Sequence, residues 1–356
     1  MDPSTSSGRS KRAEIRAAAR ERVLIKDGPY GTAIQRAKLG EDGYRGEFDL
    51  GHDQKGNNDL VNLTQPLLIR QICDSYIDAG AHVLATNTFN ANRISQADYG
   101  AEDLVHEINF GAAKVIREAV DDATAKDGIP RFVAGAMGPT NKTLSLSPDV
   151  EDPGFREVTF DQIKQVYREQ ATALVEGGAD FILVETVFDT LNCKAAIMAV
   201  RELAEDMGRD IPLMISMTLT DLSGRNLSGH TVEAFWNAVR HADPVAIGLN
   251  CSFGADQLRP HVQLLSSIAD ALLLAYPNAG LPNELGEYDE EPETTAALIK
   301  PWADNRRVNI LGGCCGSTPQ HIAAMARTVE GHQPREIPLK DTKMRLAGLE
   351  PFTIAA

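Results

Sequence analysis

Residues 309–319 read NILGGCCGSTP. A short apolar run, Val308–Leu311, stops at two glycines, two adjacent cysteines and a third glycine. The run reads as a strand. Thr318-Pro319 reads as a helix N-cap followed by a proline in the first turn, where a missing N–H is no loss. The stretch is therefore strand, turn and helix, the repeating unit of parallel α/β folds. Neighbouring residues of a regular strand point to opposite faces. Two adjacent thiols that serve one point need a sharp turn, and Gly312, Gly313 and Gly316 permit one.

Working outward, seven more apolar, β-branched runs precede this one: Val23–Asp27, His82–Thr88, Arg131–Gly135, Phe181–Glu185, Pro212–Met217, Pro244–Leu249 and Leu272–Tyr276. Between them apolar residues recur at three- and four-residue spacing, as in Ile163, Val166, Tyr167, Ala171, Leu174 and Val175, the signature of amphipathic helices. Eight such alternations predict a parallel (β/α)8 TIM barrel. A doubly wound open sheet is the alternative. It usually has fewer strands, and no GxGxxG follows the first strand. The expected organisation is a flexible N-terminal tail and helix start over 1–20, a barrel over 21–331, and a linker or docking tail over 332–356.

The chain has 356 residues, 43% of them hydrophobic, with no apolar run long enough to span a membrane. Its formal charge of −15 argues against nucleic acid and anionic membranes as partners. No apolar h-region opens the chain, so no secretory signal is expected. A cytoplasmic, reducing compartment follows, where five cysteines are thiols or metal ligands rather than disulfides. Cys73 and Cys193 fall within helical patterns and read as core thiols. Two long connections, 36–64 and 138–159, have the length of functional loops. The acidic stretch NELGEYDEEPE, 283–293, reads as a solvated loop.

Cys314 and Cys315 end the eighth strand, and Cys251 ends the sixth, in AIGLNCSFG. In a barrel both ends lie on the C-terminal face, where active sites are built. Three thiolates meeting there suit zinc, which takes sulfur ligands and keeps one position open when catalytic. Buried packing thiols, or a vicinal redox pair, are the alternatives. Other polar residues end strands at the same face: Asp27, Asn87 with Thr88, Glu185 with Thr186, and Asn278. Asp27 and Glu185 are candidates to hold a substrate ammonium group, although a helix cap or a loop salt bridge explains either alone. Gly28 and Gly316 would let backbone amides approach a substrate carboxylate. A thiophilic metal, an ammonium site and a carboxylate site describe an amino acid that carries a thiol.

At these residues the sequence resembles the homocysteine S-methyltransferase family, and within it the homocysteine-binding module of cobalamin-dependent methionine synthase. The similar segments include DGPYGT at 27–32, KGNNDL at 55–60, TNTFN at 86–90 and ETVFDTLNCKAA at 185–196. They also include IGLNCSFGADQLRP at 247–260, YPNAGLPN at 276–283, GGCCGSTPQHI at 312–322 and RLAGLEPF at 345–352. The stretch GPTNKTLSLSPDVEDPGFREVTFD at 138–161 and YPNAGLPN point to the methionine synthase branch.

The resemblance implies zinc held by Cys251, Cys314 and Cys315, with Asn278 filling the fourth position before substrate arrives. It places Asp27 and Glu185 near the amino group of L-homocysteine. It also implies methylcobalamin, recharged from methyltetrahydrofolate, as methyl source. No DxHxxG cobalamin motif surrounds any of the eight histidines. The cobalamin and folate sites are therefore expected elsewhere, on a partner chain of a split methionine synthase or on the enzyme of which this is an excised module. Alternatives are a direct donor, S-methylmethionine or a betaine, and a non-catalytic redox-sensing barrel. Two positions depart from the family pattern. Ala85 stands where a glutamate is frequent, and DGPYGT stands where DGxMGT is commoner. Both could alter substrate contacts.

Overall fold

A computed structural model describes residues 10–340 and 342–354; the expected tail over 1–9 lies outside the described residues. Eight strands form one parallel sheet: β1 Leu24–Ile25, β2 Val83–Ala85, β3 Phe132–Met137, β4 Phe181–Val187, β5 Leu213–Met217, β6 Ala246–Asn250, β7 Leu272–Tyr276 and β8 Ile310–Leu311. The order runs β1-β8-β7-β6-β5-β4-β3-β2. A single bridge, Lys26 to Val83, with the Asp27 N–H donating to the Val83 carbonyl at 3.0 Å, closes the ring between β1 and β2. A helix follows every strand, from Pro66–Asp78 after β1 to Pro319–Val329 after β8. The predicted (β/α)8 barrel is the fold, and all eight expected runs supply its strands.

Parallel strands covered on both faces carry apolar residues at every position, so their two faces are told apart only by packing. One buried cluster fills the barrel: Leu24, Val83, Phe132, Phe181, Leu183, Met214, Ala246, Leu272, Leu274, Tyr276 and Ile310. The alternate residues Ile25, Leu84, Val133, Ile182, Ile247, Leu273 and Leu311 face the helices in a second cluster. Helix Lys11–Glu21, capped by Ser10, plugs the N-terminal end of the barrel with Ile15 and Ala19.

Period two then carries the interior face toward the C-terminal end. Beyond Leu24 comes Lys26, beyond Leu183 comes Glu185, beyond Met214 comes Ser216, beyond Ala246 and Gly248 comes Asn250, and beyond Leu274 comes Tyr276. A polar storey thus sits on an apolar one.

Residues 332–340 and 342–354 return along the outside of the barrel. Arg335 is buried, and its guanidinium donates to the carbonyls of Ser266 and Ala271, both at 2.8 Å, and of Ala269. Strands β9 Arg345–Ala347 and β10 Pro351–Thr353 form an antiparallel hairpin. It lies against helix Val232–Val239, where the Thr231 N–H donates to the Leu349 carbonyl at 3.1 Å. No helix among the described residues is long and apolar enough to cross a membrane.

Candidate metal centre and substrate pocket

The β8 turn follows the sequence closely. Helix Pro319–Val329 has Thr318 as N-cap in a reciprocal box with His321, and Pro319 in its first turn. Gly316 takes φ +81°, and a Cβ there would lie 2.3 Å from the Cβ of Tyr288. A Cβ on Gly313 would meet the Ser317 hydroxyl at 2.4 Å. The glycines therefore provide both the turn and the room for neighbouring side chains.

At β6 the backbone bends with no glycine at the bend. Cys251 and Ser252 both have left-handed backbones, φ +62° and +60°, which side-chain-bearing residues rarely adopt. Such strain persists only where the surroundings enforce it. Here the Cys251 N–H donates to the Tyr276 carbonyl at 3.4 Å, and Ser252 shares a 2.8 Å hydroxyl bond with Thr218.

The two turns bring the three thiols together, with their sulfurs all within 4.8 Å of one another. Cys251 and Cys315 Sγ atoms stand 3.8 Å apart. A tetrahedral zinc with sulfurs at about 2.3 Å spaces them by about 3.8 Å, so the thiols fit such an ion. The β7 loop laces the cluster: the Cys314 N–H donates to Pro277 at 2.8 Å and the Ala279 N–H to Cys315 at 2.9 Å. Asn278 lies between those two contacts. It is buried, and its Oδ1 has no hydrogen-bond partner among the described residues. An orphaned buried acceptor on the loop that laces the cluster fits a further metal ligand.

The protons are shared unequally within the cluster. Hydrogen bonds from Cys251, then Cys314, hold the Cys315 thiol down to about 3. The bond with Cys251, then that with Cys315, pushes Cys314 well above the usual thiol range. Tyr288 lines the same cavity as Cys315 and packs in the space that Gly316 leaves. Tyr288 thus departs from the expected solvated loop and reaches back over the cluster.

A cavity of about 390 Å³ opens from the thiols toward solvent. Gly28, Asn87, Glu185, Cys251, Cys314 and Cys315, all expected at the site, line it. Glu185 Oε2 accepts from the Tyr276 hydroxyl at 2.9 Å, and burial raises its pKa despite the opposing pull of Lys26. Asn87 Nδ2 donates to the Asn58 carbonyl at 2.7 Å. A Cβ on Gly28 would meet the Tyr76 ring at 2.8 Å. Asn278 and Asp27 are not among the lining residues.

Asp27 is fully buried, with Oδ1 accepting from Lys26 Nζ at 2.8 Å and Oδ2 from the Ala85 N–H at 2.8 Å. Any ammonium contact by Asp27 has to compete with Lys26. Ala85 and Gly28 also bear on the site in ways the residue types did not show, one through its amide and one through Tyr76.

Besides Tyr288, three residues were missed. Lys26 is 4% exposed, lines the cavity, and sits 4.7 Å from the Tyr276 ring centroid. Burial opposes its charge, but Asp27 and then Glu185 outweigh it and hold the pKa above the ordinary lysine value. Asn250 accepts from Ser216 Oγ at 2.6 Å and the Thr186 N–H at 3.1 Å, and its Nδ2 lies 3.9 Å from Cys314 Sγ. Asp59, within KGNNDL, lines the cavity, and burial pushes its pKa up to about 7. The short apolar β1 run gave no signal for Lys26; for Asn250 the signal was a polar residue inside an apolar run.

Known proteins agree with this architecture. The sequence pattern of a family described as homocysteine S-methyltransferase matches residues 24–329. Two solved structures of the homocysteine methyltransferase MmuM from Escherichia coli share the fold. The oxidised form has 21% identity and a TM-score of 0.66, covering 86% of this chain and 95% of that one. The metallated form has 24% identity and a TM-score of 0.65, covering 88% and 98%. At these identities the likeness is one of fold.

Proposed function

The chain belongs to the homocysteine S-methyltransferase family, and from that premise we propose that Cys251, Cys314 and Cys315 hold zinc and activate the thiol of L-homocysteine for methylation to methionine. The observation that carries the reading is the three-thiol cluster lining the cavity, with the buried, unpartnered Oδ1 of Asn278 on the β7 loop that hydrogen-bonds to Cys314 and Cys315. When bound there, zinc supplies the Lewis acidity that deprotonates the substrate thiol at neutral pH. The substrate sulfur then forms its bond to the methyl carbon, and the donor departs with the bonding electrons.

The chain's own groups set up that attack. Asn278, whose buried Oδ1 is unpartnered among the described residues, would help the three cysteines hold the ion. Asn250 fixes Cys314 relative to β4 and β5. Tyr288 lines the cavity with Cys315, in the space that Gly316 leaves. Glu185, inside the cavity, meets the substrate ammonium. The methyl donor in this reading is methylcobalamin carried on a cobalamin- and folate-binding partner chain, in a reducing cytoplasm. The support for that branch is the resemblance of 138–161 and 276–283 to methionine synthase.

The test is to load the purified chain with zinc, count the metal, and titrate L-homocysteine while following proton release and metal–sulfur coordination. A single zinc that gains a fourth sulfur is expected, with Cys314→Ser abolishing both. Zinc that ignores homocysteine would sink the reading. Turnover with methylcobalamin, S-methylmethionine and betaine in parallel then identifies the donor.

A further inference from the structure

The lining of the cavity is unbalanced in charge. It holds two carboxylates, Glu185 and Asp59, beside the three thiols. Among the described residues that line it, only Lys26 is basic. An amino acid brings a carboxylate into any site that takes it. A carboxylate brought beside other acidic groups in a partly enclosed pocket is unfavourable unless a cation meets it.

Lys26 has capacity to spare. An ammonium carries three donors. Among the described residues Asp27 Oδ1, at 2.8 Å, is its one hydrogen-bond partner, and the Tyr276 ring, at 4.7 Å, covers one side. Asp27 also fixes where the cation stands, because its other oxygen is tied to the Ala85 N–H at 2.8 Å. The two charges of an amino acid sit on one carbon, so their partners must lie close together. Lys26 and Glu185 meet that demand: Glu185 grips the hydroxyl of Tyr276 at 2.9 Å while Lys26 stands over the ring of the same residue.

We propose that Lys26 is the residue that recognises the substrate α-carboxylate, with Asp27 as its positioning partner and Glu185 taking the adjacent ammonium. This rests on the reading that the chain activates the thiol of homocysteine. It gives Asp27 a part other than direct ammonium contact. It also makes a buried ion pair, rather than backbone amides alone, the source of selectivity for an amino-acid thiol.

The test measures binding to the zinc-loaded protein by calorimetry with three thiols. They are L-homocysteine, 3-aminopropane-1-thiol, which lacks the carboxylate, and 4-sulfanylbutanoate, which lacks the amine. The protein is expected to prefer homocysteine over 3-aminopropane-1-thiol by about tenfold or more, the worth of a charge-assisted hydrogen bond in a buried site. Lys26→Met should shrink that ratio to about twofold while keeping the preference over 4-sulfanylbutanoate, since only one charged partner is removed. Because Lys26→Met strands Asp27, the double variant K26M/D27N, which keeps the pair neutral, carries the same comparison if the single variant fails to fold. Equal binding of homocysteine and 3-aminopropane-1-thiol by the unmodified protein overturns the assignment of Lys26 and leaves the proposed function standing. So does a ratio unchanged by either variant. Binding of none of the three thiols by the zinc-loaded protein overturns the proposed function, and the Lys26 assignment with it.

Discussion

The two ends of the barrel both carry ion pairs, and the pairs have little else in common. At the C-terminal mouth, Lys26 and Asp27 meet at 2.8 Å with side chains 5% and 0% exposed. At the N-terminal floor, Arg12 meets Asp210 at 2.9 Å, 20% and 46% exposed, and Lys11 and Arg117 share Asp180. A half-exposed pair such as Arg12–Asp210 contributes little, whereas a buried pair is costly to assemble and more costly to break. The mouth adds left-handed backbone at Thr186, Cys251 and Ser252 and an orphaned acceptor at Asn278. The floor is an apolar plug, Ile15 and Ala19 against Leu24, Phe132 and Phe181. Stability is concentrated at one end, and the strained, charged arrangement that chemistry needs is held at the other.

The sharpest way to break this contrast is to unpair the buried site. Asp27→Asn leaves the Lys26 cation buried without its partner and should lower unfolding free energy by about 3–5 kcal/mol. Urea denaturation at neutral pH measures it. A loss below about 1 kcal/mol would mean that the mouth pair behaves like a surface pair.

The floor has its own titratable weak point. His82, at the start of β2, accepts the Ile25 N–H at Nδ1 over 3.1 Å. Burial, then Arg22 and Arg131, push its pKa down to about 4 from 6.5. The neutral ring is the form that suits the fold. As pH falls the unfolded chain takes up the proton first. The contribution of His82 is therefore complete above about pH 6.5 and is lost progressively as pH falls toward 4, by about 3 kcal/mol in all. Stability measured from pH 7 to 4 should show that slope, and His82→Asn, which keeps an acceptor but does not titrate in this range, should flatten it.

How much of this was legible in the sequence depended on whether a residue type carried its own signal. Buried parallel strands read as unbroken apolar runs, so all eight were found. Cys251, Cys314 and Cys315 were visible because thiols at strand ends in a barrel have few other reasons to gather. Lys26 was not, and Asp27 was favoured instead. β1 is only Leu24–Ile25, both apolar, so nothing in it shows which face is interior. Without that phase, Lys26 and Asp27 are indistinguishable by position. Tyr288 was hidden in an acidic stretch, and only the space left by Gly316 reveals that it folds back. The bends at Cys251 and Ser252 had no glycine to announce them.

That silent strain gives a finer comparison. Asp243 lies at the floor end, before β6, with φ +46°. Asp243→Gly relieves about 1 kcal/mol of left-handed cost, offset in part by the added freedom of glycine in the unfolded chain. Its melting temperature should stay level or rise, with zinc affinity untouched. Ser252→Gly relieves the same backbone cost at the mouth and removes the 2.8 Å bond to Thr218. It should melt near the parent temperature but hold zinc more weakly, because the Cys251 turn is no longer enforced. Equal zinc affinity in the two variants would show that the strain at the mouth does not position the thiol.

The smallest effect is the most informative about the floor. Arg12 donates to Asp210 at 2.9 Å and to the Asp243 carbonyl at 2.7 Å, and it reaches across from the helix that plugs the barrel. The picture invites the view that Arg12 clamps that helix in place. The physics argues otherwise. Asp210 is nearly half exposed, so water and salt compete for the pair. Ile15 and Ala19, fully buried in the barrel, hold the helix without it. Arg12→Ala should therefore lower stability by less than about 1 kcal/mol, and by still less in molar salt. Ile15→Ala should cost about 2–5 kcal/mol and be insensitive to salt, as a cavity in an apolar core is. If Arg12 proved the larger of the two, the floor would be held by charge, and the division between a mouth built for chemistry and a floor built for cohesion would fail.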